Sequence, residues 1–257
     1  HSNGTPRCSM SKAARFAIGL SLVGSHLPGS LSAQQQQLFT VPDLPTLEFS
    51  RVPIIDREEG LKLAGLVLLA ATFDGTVQRR AQAVRGAGSN QVAEWGNAAG
   101  HLRYAGPVLA AGWVVGQLSG RSHLSDAAAQ ATGAGLIAGG IATVLKRGFG
   151  RLRPNQGSSE RFAPFSDHSA FPSGHTTLAV AIATSLAHST ADKRADVLLY
   201  GTAALTGFAR INDNKHWFSD VVAGAALGYL VGRQVNAGLK DTRPLVGPGF
   251  AGLSVAF

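Results

Sequence analysis

One histidine and one aspartate in the last quarter of the chain have the spacing of a catalytic pair. His216 and Asp220 lie four residues apart, and on a helix this spacing places both side chains on one face. The carboxylate can then hold one imidazole nitrogen and leave the other free, which makes His216 a candidate nucleophile or base. A packing helix with a histidine cap gives the same pattern, so the pair alone does not define a site.

Two cations in an earlier stretch are suited to bind an anion. Lys146 and Arg153 are seven residues apart, which is two turns of helix, so both side chains can face the same way if the helix persists. Pro154 is expected to end that helix. The stretch therefore predicts two positive charges close to one another.

A helix start and two further charged residues complete the set. Ser173 and Gly174 precede an apolar run and can offer backbone N–H groups to an anion at a helix start. His175 lies beside them, and Arg210 precedes His216 by six residues. Three separate segments thus supply groups that suit one tetrahedral, doubly charged oxyanion.

The three motifs resemble the signature of a known family. Lys146 to Pro154, Pro172 to His175 and Arg210 to Asp220 are similar, in order and spacing, to the three-part signature of the phosphatidic acid phosphatase type 2 (PAP2) superfamily. This superfamily includes bacterial acid phosphatases and vanadium haloperoxidases. The family usually has Ser where this chain has Ala209, and we expect altered phosphate affinity from that departure rather than loss of the site.

The resemblance implies a phosphatase that hydrolyses phosphomonoesters through a phosphohistidine intermediate. His216 would be the nucleophile, Asp220 would hold its other nitrogen, and His175 would act as general acid and then as general base. The phosphate oxygens would be bound by Lys146, Arg153, Ser173, Gly174 and Arg210. No metal and no other cofactor are expected, because these cations and the histidine nucleophile suffice.

The substrate is expected to be a lipid phosphate, such as phosphatidate or a prenyl phosphate or diphosphate, with small soluble phosphomonoesters as the alternative. Two other functions use the same residues. One is a vanadate-dependent haloperoxidase, in which vanadate would occupy the phosphate position. The other is a non-catalytic helical membrane protein with a vestigial pocket, which rests on Ala209 alone.

Composition favours closely packed helices and disfavours nucleic-acid binding. Hydrophobic residues make up 45% of the 257 residues, charged residues 15%, and there are 32 glycines. The net charge of +8 suits an anionic substrate or a membrane surface. The basic residues are scattered, and three Tyr and three Trp offer few platforms for stacking bases.

Several apolar segments of helix length predict an all-α fold, and the resemblance implies a multi-helix bundle of the PAP2 and acid phosphatase type with a central catalytic four-helix core. Gly224, Gly228 and Gly232 continue by fours from Asp220 and would let their helix lie close to a neighbour. Most apolar runs are shorter than the roughly 20 residues of a membrane span. We therefore expect an exported periplasmic protein, soluble or membrane-associated, with an integral membrane protein as the alternative; the oligomeric state is not specified.

Four regions are expected along the chain. Residues 1–33 hold upstream residues and a secretory signal that starts at Met10, and this region includes the lone cysteine, Cys8. Residues 34–55 are an extended lead-in, 56–239 the phosphatase domain, with a capping box at Asp56 and Glu59, and 240–257 a tail. Alternating Phe250, Leu253, Val255 and Phe257 suggest a terminal strand in that tail.

Several other charged residues and histidines are predicted to have no catalytic or phosphate-binding role. Arg147 and Arg151 are expected on the surface, Asp74 at a helix end or turn, and His168 in a solvated loop that forms one wall of the site's mouth. Three more histidines are expected at helix ends: His101, His123 and His188.

Overall fold

The computed structural model describes residues 15–21, 57–157, 162–190, 192–238, 243–247 and 250–256. The helices within these ranges are α1 (Arg57–Ala71), α2 (Asp74–Ala83), α3 (Ala87–Ala99), α4 (Leu102–Leu118), α5 (Ser122–Phe149), α6 (Gly174–Ser189), α7 (Lys193–Asn212) and α8 (Phe218–Gly238). The strands are β1 (Arg15–Ser21), β2 (Arg243–Gly247) and β3 (Phe250–Ala256). The chain divides into two compact units, Val52–Gly238 and a second unit made of His1–Arg51 with Leu239–Phe257.

Helix α6 lies at the centre of the helical unit. It packs against α5, α7 and α8. Around these four helices, α3 packs against α7, α1 packs against α8, and α4 packs against α5. The four helices α5 to α8 carry or adjoin every candidate site residue. The prediction of an all-α bundle with a central four-helix core is therefore confirmed.

Small side chains fill the contacts between these helices. Ala131, Ala134 and Ala138 of α5 are fully buried, as are Thr177 of α6 and Thr206 of α7. Residues of this size let helix axes approach closely, and threonine hydroxyls can bond to a carbonyl one turn earlier. The abundant Ala and Gly of the sequence are thus used at helix interfaces.

The predicted glycine stripe of α8 faces α6. A Cβ at Gly224 would lie 2.6 Å from the Ser173 carbonyl oxygen, and one at Gly228 would lie 2.5 Å from that of Thr177. A Cβ at Gly232 would meet the Ala181 carbonyl oxygen at 2.7 Å. Real Cβ atoms do not approach backbone so closely, so only glycine allows this contact and the prediction is confirmed.

Helix α5 ends earlier than its cationic stretch suggests. It stops at Phe149, and Gly150 adopts a left-handed conformation with φ of 55°, the usual way to end a helix. Arg153 follows in extended backbone before the 3₁₀ turn Pro154–Gln156. Lys146 and Arg153 therefore do not share a helix face, and they meet by a turn of the chain instead.

The second unit contains a small antiparallel sheet in the order β1-β3-β2. Arg15 pairs with Ala256 at one end of β1, and Gly247 pairs with Phe250 at the turn between β2 and β3. The predicted terminal strand is confirmed as β3. The predicted cleavage site, Cys8, the lead-in 34–55 and Asp56 lie outside the described residues.

One described helix, Ser122–Phe149, is long and apolar enough to cross a membrane, and the pair α1 and α2, bent by 53°, reaches that length only when taken together. The core helix of a soluble protein satisfies the same conditions. Many large apolar side chains of α1 and α4 are nevertheless exposed, among them Leu68 and Leu118 at 71% and 84%.

Candidate active site

His216 and Asp220 meet at the start of α8. His216 lies in the turn before the helix, and its Nδ1 is 3.4 Å from Oδ2 of Asp220. This distance is longer than a well-formed N–H···O bond, so the contact is mainly electrostatic. Among the described residues no other group pairs with Nδ1. The expected pairing is thus present, but it spans the helix start rather than one face of a helix.

Asp220 is fixed by several donors. Its Oδ2 accepts a hydrogen bond from the Trp217 backbone N–H at 2.8 Å, the position that an acidic residue takes in a capping box. Its Oδ1 accepts one from Arg151 at 2.7 Å. The side chain is fully buried, so the carboxylate has a fixed place beside the imidazole.

Burial leaves His216 neutral. Its side chain is only 3% exposed, and burial lowers its pKa to about 4 although Asp220 acts to raise it. The charges of Lys146 and Arg210 lower this pKa further. A neutral imidazole keeps a lone pair, which a nucleophile requires.

His175 lies in the first turn of α6, close to the same charges. Burial is the main cause that lowers its pKa to about 4, followed by the charges of Arg210, His101, His216 and Lys146. The ring of His101, which caps α4, is 5.4 Å from that of His175 in an edge-to-face contact. His101 was expected only at a helix end, and its contact with His175 has no signal in the sequence.

Ser169 holds two of the cations. Lys146 Nζ donates to its carbonyl oxygen at 2.6 Å, and Arg153 donates to its hydroxyl at 3.1 Å. Lys146 also lies close to the start of α6, because a Cβ at Gly174 would be 3.3 Å from Lys146 Cε. Because Gly174 has no side chain, the Lys146 side chain can lie against the first turn of α6.

Arg210 is held by a residue of α3. Asn97 Oδ1 accepts a hydrogen bond from its guanidinium, and the same amide donates to Asp213 at 2.7 Å. Asp213 also lies 3.8 Å from Arg210. Asn97 was not predicted, since nothing in the order of residues links it to Arg210.

Ser173 differs from its expected use. Its backbone N–H donates to the carbonyl oxygen of Asp220 at 2.9 Å, and its hydroxyl pairs with that of Thr176 at 2.9 Å. Its amide is therefore engaged in joining α6 to α8. The amides of Gly174 and His175 belong to the first turn of α6, where no earlier carbonyl in the helix can pair with them.

Arg151 is not on the surface, and that prediction is wrong. Its side chain is 2% exposed, and it contacts both Asp74 and Asp220, whose side chains are fully buried. Asp74 does begin helix α2, as expected for a helix-end residue. Arg147 is exposed, as predicted, and His123 and His188 lie in the end turns of α5 and α6.

A cavity of about 430 Å³ opens beside Lys146. Its wall is the segment Phe165 to Ser169, together with Arg147. Phe165 is 87% exposed and has a φ of 63°, which is unusual for a bulky residue. His168 lines this cavity and is half-buried; that this loop forms one wall of the site's mouth stays a prediction.

Ala209 is fully buried and packs towards α3, where a Cβ at Gly96 would lie 3.0 Å from its own. It is adjacent in sequence to Arg210 but belongs to the α3–α7 contact. An altered affinity from the missing hydroxyl stays a prediction.

A family model matches the part of the chain that carries the site residues. The sequence profile of the PAP2 superfamily matches residues 127–242, which include all three motifs. The matched part, 116 of the 257 residues, is similar to a PAP2 superfamily domain.

Curated relatives match the same region. The lipid A 1-phosphatase of Porphyromonas gingivalis is 40% identical over 116 residues, which cover 44% of this chain and 23% of the relative. The lipid A 1-phosphatase of Rhizobium johnstonii is 38% identical over 99 residues, which cover 36% of this chain and 40% of the relative. The chain thus matches less than half the length of either relative.

A solved structure shares the fold. The crystal structure of a transmembrane PAP2 type phosphatidylglycerolphosphate phosphatase from Bacillus subtilis superposes with a TM-score of 0.54. The match covers 70% of this chain and 94% of that one, at 21% identity. At this identity the likeness concerns the fold alone.

Proposed function

We propose that this chain is a phosphatase that hydrolyses a lipid phosphate monoester through a phosphohistidine on His216, without a metal. The observation that carries the proposal is a buried imidazole whose Nδ1 faces Asp220 and whose pKa the charges of Lys146 and Arg210 help to lower. A phosphate bound among these cations would meet the free Nε2 of His216. The residues named by the motifs supply each group that the reaction needs.

The first step forms a bond from His216 Nε2 to phosphorus and breaks the bond from phosphorus to the ester oxygen. Asp220 faces Nδ1, so it favours the tautomer with the proton on Nδ1 and stabilises the positive charge that develops on the ring. Lys146, Arg153 and Arg210 bind the non-bridging oxygens and offset the charge of the transition state. The Gly174 and His175 amides add the helix-start donors, and Ser173 fixes the position of that helix start.

His175 supplies and recovers one proton. It protonates the departing alkoxide as the phosphorus–oxygen bond breaks, and it then accepts a proton from the water that attacks the phosphohistidine. Inorganic phosphate leaves, and both histidines return to their first state. The phosphate dianion offsets the cations that lower the pKa of His175, so substrate binding favours the protonated form that the first step uses.

Three observations support a lipid substrate. The relatives with 38% and 40% identity are named lipid A 1-phosphatases, and large apolar side chains of α1 and α4 are exposed. The exposed ring of Phe165 lies at the wall of the cavity beside Lys146. A phosphorylated glycolipid presents a phosphate for the cations and acyl chains for such apolar surface. We propose that the protein works at a membrane, on the exported side.

A phosphate-release assay tests this function. Purified protein in detergent is offered a phosphorylated glycolipid, a long-chain phosphatidate and a soluble aryl phosphate, each with and without EDTA. We expect release that EDTA does not reduce, with a lipid preferred, and loss of at least about a thousandfold in His216→Ala.

Arg121→Ala is the control, since Arg121 is exposed at the far end of α5 and does not line the cavity beside Lys146. Preference for the aryl phosphate over both lipids would overturn the lipid assignment. Absence of release from all substrates would overturn the phosphatase proposal, and peroxide-dependent halide oxidation after vanadate loading would then establish the haloperoxidase.

A further inference from the structure

A buried ionic network lies behind the His216–Asp220 pair. The Arg151 guanidinium donates from one nitrogen to Asp220 Oδ1 and to the Ser219 hydroxyl, both at 2.7 Å. Its other terminal nitrogen donates to Asp74 Oδ2 at 2.8 Å. Arg151 therefore joins a carboxylate of α2 to the carboxylate that faces His216.

Asp74 completes the network from the other side. Its Oδ1 accepts the Ser219 backbone N–H at 2.7 Å, and its Oδ2 accepts the Ser219 hydroxyl at 2.6 Å. Ser219 is the second residue of α8, one position before Asp220. The bend between α1 and α2 thus places an acidic side chain against the first turn of the helix that holds the catalytic pair.

The network lies away from water. The side chains of Arg151, Asp74 and Ser219 are exposed by 2% or less, and the rings of Phe162 and Trp217 lie 5.0 and 5.5 Å from the guanidinium carbon. Burying ions is expensive, and well-packed apolar residues often stabilise a fold as well or better. A purely structural account therefore leaves the choice of charged residues unexplained.

We propose that Arg151 is a positioning residue for Asp220 and that Asp74 sets how strongly Arg151 offsets the charge of Asp220, so that Asp74, Arg151 and Asp220 act as one unit on His216. This inference rests on the proposed function for its catalytic consequence. The effect of Asp74 and Arg151 on the protonation of His216 is a property of the folded chain and can be measured without turnover.

The charges around His216 determine whether its pKa rises or falls when Asp74 is neutralised. Asp220 of α8 faces the ring, and Arg151 lies behind Asp220. Among the described residues, Lys146 of α5, Arg210 of α7 and His175 of α6 also interact electrostatically with His216. Neutralising Asp74 removes one negative charge and leaves Arg151 to offset Asp220 more fully. Both effects disfavour the imidazolium, so the pKa of His216 falls.

The decisive experiment compares Asp74→Asn with Ser219→Ala in the full chain. Both variants disturb the hydrogen bond from the Ser219 hydroxyl to Asp74, but only the first changes a charge. The protonated fraction of His216 is followed by ¹⁵N NMR of histidine-labelled protein, with the signal assigned by its loss in His216→Gln. From a pKa of about 4, we expect about half protonation at pH 4 in the unchanged protein and in Ser219→Ala, and about a quarter or less in Asp74→Asn.

A third variant tests positioning. In Arg151→Lys the charge stays, but one ammonium cannot reproduce the two-sided guanidinium contact. We expect kcat to fall roughly tenfold or more, with KM and the titration of His216 little changed. Two results together would overturn the inference. In all three variants kcat would fall in proportion to the loss of thermal stability, and the titration of His216 would be the same in each.

The two proposals fail in different ways. If the unchanged protein releases no phosphate, the proposed function fails while the NMR titration still tests the network. If phosphate is released but Asp74→Asn leaves the protonated fraction of His216 unaltered, the network inference fails and the function stands.

Discussion

His216 Nδ1 lies 3.4 Å from Asp220 Oδ2, and the same oxygen accepts the Trp217 backbone N–H at 2.8 Å. One carboxylate therefore both caps the start of helix α8 and faces the imidazole. Because the helix start fixes the carboxylate, the ring orientation depends on backbone geometry as well as on side-chain contacts. Any change that moves the start of α8 against α6 should disturb the site.

The α6–α8 contact gives the first prediction. Gly228→Ala would place a Cβ 2.5 Å from the Thr177 carbonyl oxygen, so we expect a loss of stability on the order of 1–3 kcal/mol and a drop in kcat. Gly201→Ala is the control, since nothing lies within 4 Å of its Cβ, and it should be neutral or more stable by up to about 1 kcal/mol. Denaturant unfolding of both variants makes the comparison, and equal stability would show that α8 does not approach α6 so closely.

The acid role of His175 gives the second prediction. His175→Ala should lose about a thousandfold in kcat/KM with an alkyl or glycosyl phosphate, whose leaving group needs a proton. With an activated aryl phosphate the loss should be about tenfold, because the phenolate leaves unaided. Steady-state kinetics on the two substrates check this, and equal losses on both would remove the general acid from the mechanism.

Stability at low pH gives the third prediction. The pKa of His216 is about 4 in the folded protein and about 6.5 when unfolded, so below pH 6.5 the unfolded chain binds a proton that the folded chain does not. Stability should therefore fall as the pH drops from about 6.5 to about 4. Thermal unfolding across this range measures the slope, and His216→Gln should reduce it, while His175, whose pKa is also about 4, accounts for the remainder. An unaltered slope in the variant would show that His216 is not protonated upon unfolding in this window.

The support of Arg210 gives the fourth prediction. Asn97→Ala removes the acceptor that holds the guanidinium, and Asp213 at 3.8 Å then becomes its nearest anchor. We expect the inhibition constant of inorganic phosphate to rise roughly tenfold. Asn90→Ala is the control on the same helix, since Asn90 accepts from Arg85 and Asn212 and not from a site cation. Equal phosphate binding in both variants would contradict a role for Asn97.

The motif residues could be predicted because their spacing reflects the local backbone. The glycine stripe of α8 follows helix periodicity, and His216 with Asp220 follows from one turn of chain. The same reasoning failed for Arg153, because Gly150 ends α5 in a left-handed conformation before that residue is reached. Local patterns thus give side-chain types and approximate neighbours, but not the turn that brings two of them together.

The supporting residues could not be predicted, because their partners are distant in sequence. Arg151 pairs with a carboxylate 77 positions away, and Asp74 pairs with Ser219 across 145 positions. Asn97 and Arg210 are separated by 113 positions. A lone arginine in a polar stretch usually lies in water, and only the packing of α2 against α8 reverses that expectation for Arg151.

A covalent phosphohistidine on His216 is the intermediate of the proposed reaction, and it can be trapped. ³²P-labelled substrate is mixed with His175→Ala, in which hydrolysis of the intermediate lacks its base, and the reaction is stopped in alkali, where phosphohistidine survives. We expect an acid-labile label on the peptide that contains His216, and no label when His216→Ala is added to the same protein. Turnover without any label at His216, or a label on another residue, would contradict it.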